Sequence, residues 1–377
     1  MNNTGGALRR TMQRFLQRSL SIILSILAAV LVGSLIMIWY KQNPIELYGH
    51  LLEGAYGNQR SIFISLQRAT PLIFTALAST LAFRTGVFNI GVEGQFFIGA
   101  ICGTFVGYAV DLPAIIHLPL TLLAGFAGGA IWAFFPTMMR QKLGISEIVT
   151  TIMTNYIATF LISYLTNYPM RASPTTTETA PVLASAELPQ FIELTREWAQ
   201  PLGKGTQAHV GIFVALATVA IVYFVLKRTR SGFEFRMVGH SFPFSEFAGI
   251  DLDKTFISGM LLSGGLAGLG GIVEILGVWR EYKNLFAIGF GYRGNLAALL
   301  GRQSVIGGTV AALFYGSMEA GALGLEWSAG IPRQLIDIVI GLIIFFMAAE
   351  GMWAFVNKIK WVRAPGTQRQ TTEDLEV

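Results

Sequence analysis

Charge is scarce in this chain. Asp, Glu, Lys and Arg together make up 13% of its 377 residues, where an ordinary soluble domain carries about 25%. That deficit excludes a charge-rich disordered chain and fits a soluble enzyme poorly. Cysteine is nearly absent. Cys102 stands alone, so no disulfide within the chain and no cysteine metal cluster is possible. Histidine is sparse as well, and His50, His117, His209 and His240 show no ligand spacing. No GxxxxGK followed by Ser or Thr occurs, so the chain is not itself an ATPase of that type. Neither HExxH nor GxSxG is present, and no cofactor or metal is expected.

Apolar residues are plentiful. They reach 53% and are joined by 42 glycines, with a mean hydropathy of +0.56. This is the composition of an all-α polytopic membrane protein. The net charge of +5 raises the question of nucleic acid. Membrane proteins, however, collect Lys and Arg on their cytoplasmic side, and no nucleic-acid partner is expected.

A span needs about 20 mostly apolar residues. Ten such segments are expected, near 19–40, 61–83, 91–110, 115–138, 146–166, 210–227, 255–278, 284–301, 304–324 and 333–356. The third and eighth are Gly-rich and begin at polar residues. The first follows Arg9, Arg10, Arg14 and Arg18 and is too long for a signal-peptide core, so it reads as a retained span. With both termini inside, basic residues favour the cytoplasmic side by about two to one, as the positive-inside rule asks. The expected organisation is then a cytoplasmic segment 1–18, a transmembrane domain 19–356 and a cytoplasmic tail 357–377. Residues 167–209, with five prolines, form the large external loop, and 228–254 the large cytoplasmic one.

Small residues recur at four-residue spacing, as at Gly99, Gly103 and Gly107, at Gly125 and Gly129, and at Gly264 and Gly268. That spacing lets helix backbones approach closely in lipid. The GxGxxG at Gly289, Gly291 and Gly294 lacks a βαβ setting, so it reads as close packing or a broken helix and not as a dinucleotide site.

Polar groups inside apolar spans are functional candidates. Three clusters stand out. In 85–100, TGVFNIGVEGQFFIGA, the residues Phe88, Asn89, Glu93 and Gln95 sit among glycines. A broken helix suits them, since its unpaired backbone groups can meet a polar solute, and a solvated interfacial loop is the bland alternative. In 146–158, SEIVTTIMTNYIA, the residues Glu147, Thr151 and Asn155 share one helix face beside Tyr156. Such a stripe serves either a solute pathway or helix packing, because Thr also bonds its own backbone. In 289–301, GFGYRGNLAALLG, Tyr292, Arg293 and Asn295 recur where lipid is expected. Arg68, Glu274, Glu319 and Asp337 are further ionisable groups in or near spans.

Glu93-Gly94-Gln95 aligns with Arg293-Gly294-Asn295, and Ile90-Gly91 with Ile288-Gly289. These pairs begin the third and eighth spans, and an offset of five spans reverses direction. An inverted repeat is therefore expected, its two broken helices meeting near the midplane with Glu93 and Arg293 pairing or flanking a solute.

The string at 85–100 resembles the signature of membrane permease subunits of ABC importers, in the branch that handles nucleosides and simple sugars. The resemblance runs in register through SEIVTTIMTNYIA, RMVGHSFPFSEFAGI at 236–250, SGGLAGLGG at 263–271, GFGYRGNLAALLG and PRQLIDIVIG at 332–341, covering roughly 60–350. It implies a type II-like ABC permease fold in a bacterial inner membrane. It also implies two ATPase subunits, a second permease subunit of the same or a related chain, and an extracytoplasmic solute-binding protein. The ATPase would dock on the cytoplasmic loop at Arg236, Gly239, Ser241, Phe244, Ser245 and Gly249, and the external loop would meet the binding protein. The expected function is ATP-driven import of a nucleoside or related solute, with bond chemistry left to the ATPase. Alternatives are a simple sugar, riboflavin or an amino acid, an ion-gradient transporter, or a scaffold without transport. The chain departs from its relatives in two places. Ser241, Phe244 and Ser245 replace an Asn and an Ala pair, and Arg293 stands where an acid is usual.

Overall fold

The computed structural model describes residues 27–28, 30–197, 202–284, 286–329, 337–342 and 345. The chain divides into two units, Met1–Pro44 with Gln334–Val377, and Ile45–Arg333. In the first unit, the apolar helix α1 (Val30–Trp39) is described, as is a short helical stretch over 337–342. The rest of the expected first and tenth spans, the segment 1–18 and the tail 357–377 lie outside the described residues.

The regular elements of the second unit are helices. Its elements are α2 (Pro44–Tyr56), α3 (Gln59–Arg84), α4 (Val92–Ala109), α5 (Ala114–Leu143), α6 (Glu147–Asn167), α7 (Phe191–Leu194), α8 (Gly211–Arg228), α9 (Arg230–His240), α10 (Phe242–Phe247), α11 (Leu252–Glu274), α12 (Phe290–Leu300) and α13 (Val305–Ala329). Among the described residues, isolated bridges are the only β-pairing.

Polar side chains set the starts of several helices. Asn58 accepts the Ser61 N–H at 2.9 Å to open α3, and Asp251 accepts the Lys254 N–H at 3.0 Å to open α11. Each satisfies one of the N–H groups that a helix start leaves unpaired. At the other end of α5, Gly144 takes φ 65°, a left-handed stop.

Among the described residues, five helices are long and apolar enough to cross a membrane: α3, α5, α6, α8 and α11 with the π-turn Ile275–Trp279 that continues it. The eighth expected span does not form one continuous helix. Only Phe290–Leu300 is helical, 11 residues, or about 16 Å at 1.5 Å per residue against a hydrocarbon core of about 30 Å. Helix α4 starts only at Val92, after the non-helical stretch around Gly86–Gly91. The sequence also leaves α2 unannounced, reading 41–60 as a plain connection. Leu47, Leu51 and Ala55 bury one side of this helix, and Gly54 lies against the backbone of Gly321 and Gly324 in α13.

Helix α11 packs on α3, α4 and α5. The four-residue rows of glycine meet there. A Cβ on Gly99 would overlap the backbone of Gly268, and one on Gly129 would overlap the Gly264 carbonyl. Hydrogen at these positions is what lets the three backbones touch.

The proline-rich segment 167–209 is no free loop. The Val182 N–H bonds the Arg280 carbonyl at 2.7 Å, Leu188 bonds Leu276 at 3.0 Å and Leu183 bonds Gly107 at 2.9 Å. Backbone pairing thus lays 179–190 along the end of α11 and the turn after it. Arg280 clasps Glu187 at 3.0 Å and also Glu193.

A candidate polar junction between the broken helices

The start of α4 is tied down by side chains. Asn89 accepts the Gly91 N–H at 2.9 Å, and its amide donates to Gln95 at 2.9 Å and to Ser263 Oγ at 3.0 Å. Ser263 in turn donates to the Ala78 carbonyl at 2.8 Å, which joins the break to α3 and α11. From α6, Asn155 accepts the Gly94 N–H at 2.9 Å. Its Nδ2 donates to the Ile90 carbonyl at 3.0 Å and to the Tyr292 hydroxyl at 3.3 Å.

The start of α12 is tied down by Glu93. Its carboxylate accepts the N–H of Gly289 at 2.5 Å and of Gly291 at 2.6 Å. An acid at a helix start pairs with unsatisfied N–H groups and with the positive end of the helix dipole. Gly289 takes φ 92°, a conformation that favours glycine. A side chain on Gly291 would run into the Glu93 backbone. Each broken helix therefore begins on a side chain from another element, Asn155 for α4 and Glu93 for α12.

Arg293 pairs with Glu319 of α13 at 2.6 Å. Glu93 and Arg293 thus engage different partners across the same junction. Thr151 bonds the Glu147 carbonyl of its own helix at 2.6 Å, and Thr150 and Thr154 also bond their own helix backbone. Glu147 pairs with Arg140 at 2.6 Å. Asn89, Glu93, Gln95, Thr151, Asn155 and Asn295 are buried within the chain. Of these, Asn295 has a buried Oδ1 with no hydrogen bond. Phe88, Tyr156 and Tyr292 are the exposed members at 37%, 59% and 43%, so they present the junction to whatever lies outside this chain.

The junction is partly legible from sequence. The side chains of the clusters at 85–100, 146–158 and 289–301 meet through Glu93, Asn155 and Tyr292. Sequence reasoning missed Ser263, which stood only as the first residue of the string at 263–271, and Glu319 as the partner of Arg293. It missed the amides of Gly289 and Gly291 altogether, since backbone groups have no sequence signature.

In the segment 228–254, Thr229 opens α9 by accepting the Gly232 N–H at 3.1 Å. Ser241 opens α10 by accepting the Phe244 N–H at 3.4 Å. Ser245 is buried and donates to the Ser241 carbonyl at 2.8 Å. Gly239 lies against the Arg84 carbonyl, while Arg236 is partly covered and Gly249 takes φ 75° in open space. Phe244 is 57% exposed and Phe247 92%, an exposed aromatic pair on a six-residue helix.

In the segment 167–209, partial desolvation of Glu193 pulls its pKa upward. The Gln190 N–H and the Arg280 guanidinium outweigh that pull and hold the carboxyl below its usual range. Burial lowers His209 to about 4. Its Nδ1 accepts the Gly211 N–H at 3.1 Å and its ring packs on Gly277.

Residues 61–348 match the family described as branched-chain amino acid transport system, permease component. The guanosine ABC transporter permease protein of Bacillus subtilis is 36% identical over 87% of this chain and 92% of that protein. The glucose ABC transporter permease protein of Haloferax volcanii is 35% identical over 84% of this chain and 83% of that one. The nucleoside ABC transporter permease protein of Lactococcus lactis is 35% identical over 85% and 87%. No solved structure matches. With the match covering most of the chain, and with apolar helices long enough to span a bilayer, the chain belongs to the family of branched-chain amino acid transport system permease components.

Proposed function

We propose that this chain is the transmembrane permease subunit of an ATP-driven importer and forms the pathway for a nucleoside delivered by an extracytoplasmic binding protein. The observation that carries the reading is the similarity, over nearly the full length of both chains, to permeases of guanosine and nucleoside transporters. In this reading Phe88, Tyr156 and Tyr292 stack on a base, and Asn295, whose Oδ1 makes no hydrogen bond, bonds its polar edge, while Asn89 and Asn155 hold the helix starts beside the pathway. Glu93, Gln95, Thr151 and Arg293 complete the proposed pathway set, chiefly by holding the junction in shape.

In the same reading about ten helices cross a bacterial inner membrane, related by an inverted repeat, with both termini cytoplasmic. Two separate ATPase subunits dock on α9 and α10. A closing stroke reaches the spans as a rigid-body shift of that helix pair. A second permease subunit, of the same or a related chain, completes the pathway, and the segment 167–209, external in this reading, receives the binding protein.

A simple sugar is the second reading, favoured by the similarity to a glucose permease at nearly the same identity. Uptake of labelled guanosine by cells with and without the gene separates the two. Loss of uptake on deletion, with competition by nucleosides and not by glucose, riboflavin or amino acids, is the expected result. Competition by glucose in place of nucleosides would transfer the chain to the sugar reading. Unchanged guanosine uptake, with no rival route, would remove it as a substrate.

A further inference from the structure

A cavity of about 830 Å³ lies in the larger unit, lined by none of the junction residues. Ligand pockets commonly enclose about 300–1,000 Å³. Its walls come from α2, the first half of α3, residues 205–207 and the Ala320–Gly324 stretch of α13. On α3, Arg60, Ile64 and Arg68 stand four apart on one face and run from rim to floor. Asn58, Gln67 and Gln207 add amide groups, and Gln67 accepts the Gln207 N–H at 3.2 Å, fixing the rim.

Arg68 ends the cavity. Its Nε is shut from solvent and makes no hydrogen bond. Glu274, at the end of α11, is 5% exposed, and its Oε2 is likewise buried without a hydrogen bond. Arg68 and Glu319 both act electrostatically on Glu274, and Glu319 is held by Arg293. The Nε of Arg68 and the Oε2 of Glu274 are closed off from the cavity, so what Arg68 holds out to something polar is the terminal end of its guanidinium, with Glu274 behind it outside the lining. Charge decides what kind. The rim, the floor and the groups behind it bring as many anions (Glu53, Glu274, Glu319) as cations (Arg60, Arg68, Arg293). No surplus positive charge remains to hold a phosphate.

We infer that this cavity is a binding site, entered from the external side, for a neutral solute rich in hydroxyl or carbonyl groups, with Arg68 donating from its floor and phosphorylated forms turned away. The inference rests on the import reading above and adds a station to it distinct from the junction. Because residues 205–207 precede α8 on the external side of that reading, solute would meet this cavity from outside.

The test uses cells expressing the complete importer. In a Cys102→Ala background, Ile64→Cys places the only thiol of the chain on the cavity wall. A membrane-impermeant maleimide should label it, and guanosine should slow labelling several-fold while guanosine monophosphate does not. Arg68→Gln should raise the KM for guanosine about tenfold or more with Vmax per assembled importer held, the loss expected for one hydrogen bond from a charged donor. Arg68→Lys should fall between. An unlabelled Cys at 64, labelling indifferent to both solutes, or equal protection by the monophosphate would overturn the inference. If Arg68→Gln fails to assemble, the labelling result decides, since it leaves Arg68 in place. If wild-type cells take up no guanosine, the nucleoside reading fails by itself. The same thiol is then challenged with glucose and glucose 6-phosphate, where protection by glucose alone upholds the cavity and protection by neither removes it.

Discussion

Glu93→Ala takes both acceptors from the start of α12. Glu93 is 5% exposed and holds the N–H groups of Gly289 and Gly291 at 2.5 and 2.6 Å. Leaving one buried N–H unpaired costs about 1–3 kcal/mol, so the pair sets a range of about 2–6 kcal/mol on the same basis. Hydrogen bonds between helices in membranes measure nearer 0.6 kcal/mol, because the unfolded chain in lipid finds other partners. The start of a half-helix has few such partners, and we expect about 2 kcal/mol, the lower end of the first range. Glu93→Gln keeps one acceptor oxygen and turns an NH₂ on the second N–H, so it should lose about half as much. Denaturant unfolding of the purified complex, read by tryptophan fluorescence, should show midpoints falling from wild type through Gln to Ala at constant slope. Uptake per folded importer should keep its KM. A Glu93→Ala protein that unfolds at the wild-type midpoint would refute the clamp. A raised KM with an unchanged midpoint would instead give Glu93 a direct contact with solute.

The glycine crossing makes a sharp comparison. Gly129→Ala should abolish accumulation of folded protein, because its Cβ would overlap the Gly264 carbonyl, whereas Gly308→Ala, whose Cβ would lie 3.2 Å from Thr80 Oγ1, should accumulate near normally on an immunoblot of membranes. For Arg293 and Glu319, each single neutral substitution should cost about 3–5 kcal/mol and the double substitution less than the sum, since removing one partner strands a buried charge. Additive losses in a double-mutant cycle would deny the pair. His209 predicts a pH effect. Its folded pKa of about 4 lies below its ordinary 6.5, so its neutral form contributes stability that is whole above pH 6.5 and lost as pH falls toward 4. Proteolysis of the segment 167–209 should rise across that window, and His209→Phe should flatten the dependence while lowering the starting stability.

Much of the helical layout was legible because lipid imposes a simple pattern. The apolar runs place α3, α5, α6, α8 and the α11 region within several residues of their ends. The breaks before α4 and α12 showed as glycine and polar residues where apolar ones were expected. What stayed hidden was anything settled by backbone atoms or by distance along the chain. The partner of Glu93 is a pair of amides, and that of Arg293 is Glu319, another helix away. Helix α2 escaped because its buried side is only three residues wide. The external segment read as a proline-rich loop, since its order comes from bonds to 276–282 that its own composition does not encode.

The meeting of α4, α5 and α11 has a mechanical consequence. Where Gly99, Gly129, Gly264 and Gly268 bring backbone against backbone, there are no rotamers to switch and no soft layer to shear. The three helices behave as a single strut under load. Any cycle that opens the chain first to one side and then to the other must bend elsewhere. The candidates for flexure are the non-helical stretches at 85–91 and at 280–284 with 286–289, each joined at one end to the strut or its π-turn continuation. In that light the polar clamps at the starts of α4 and α12 sit on the joints, and their strength sets how stiffly the joints turn.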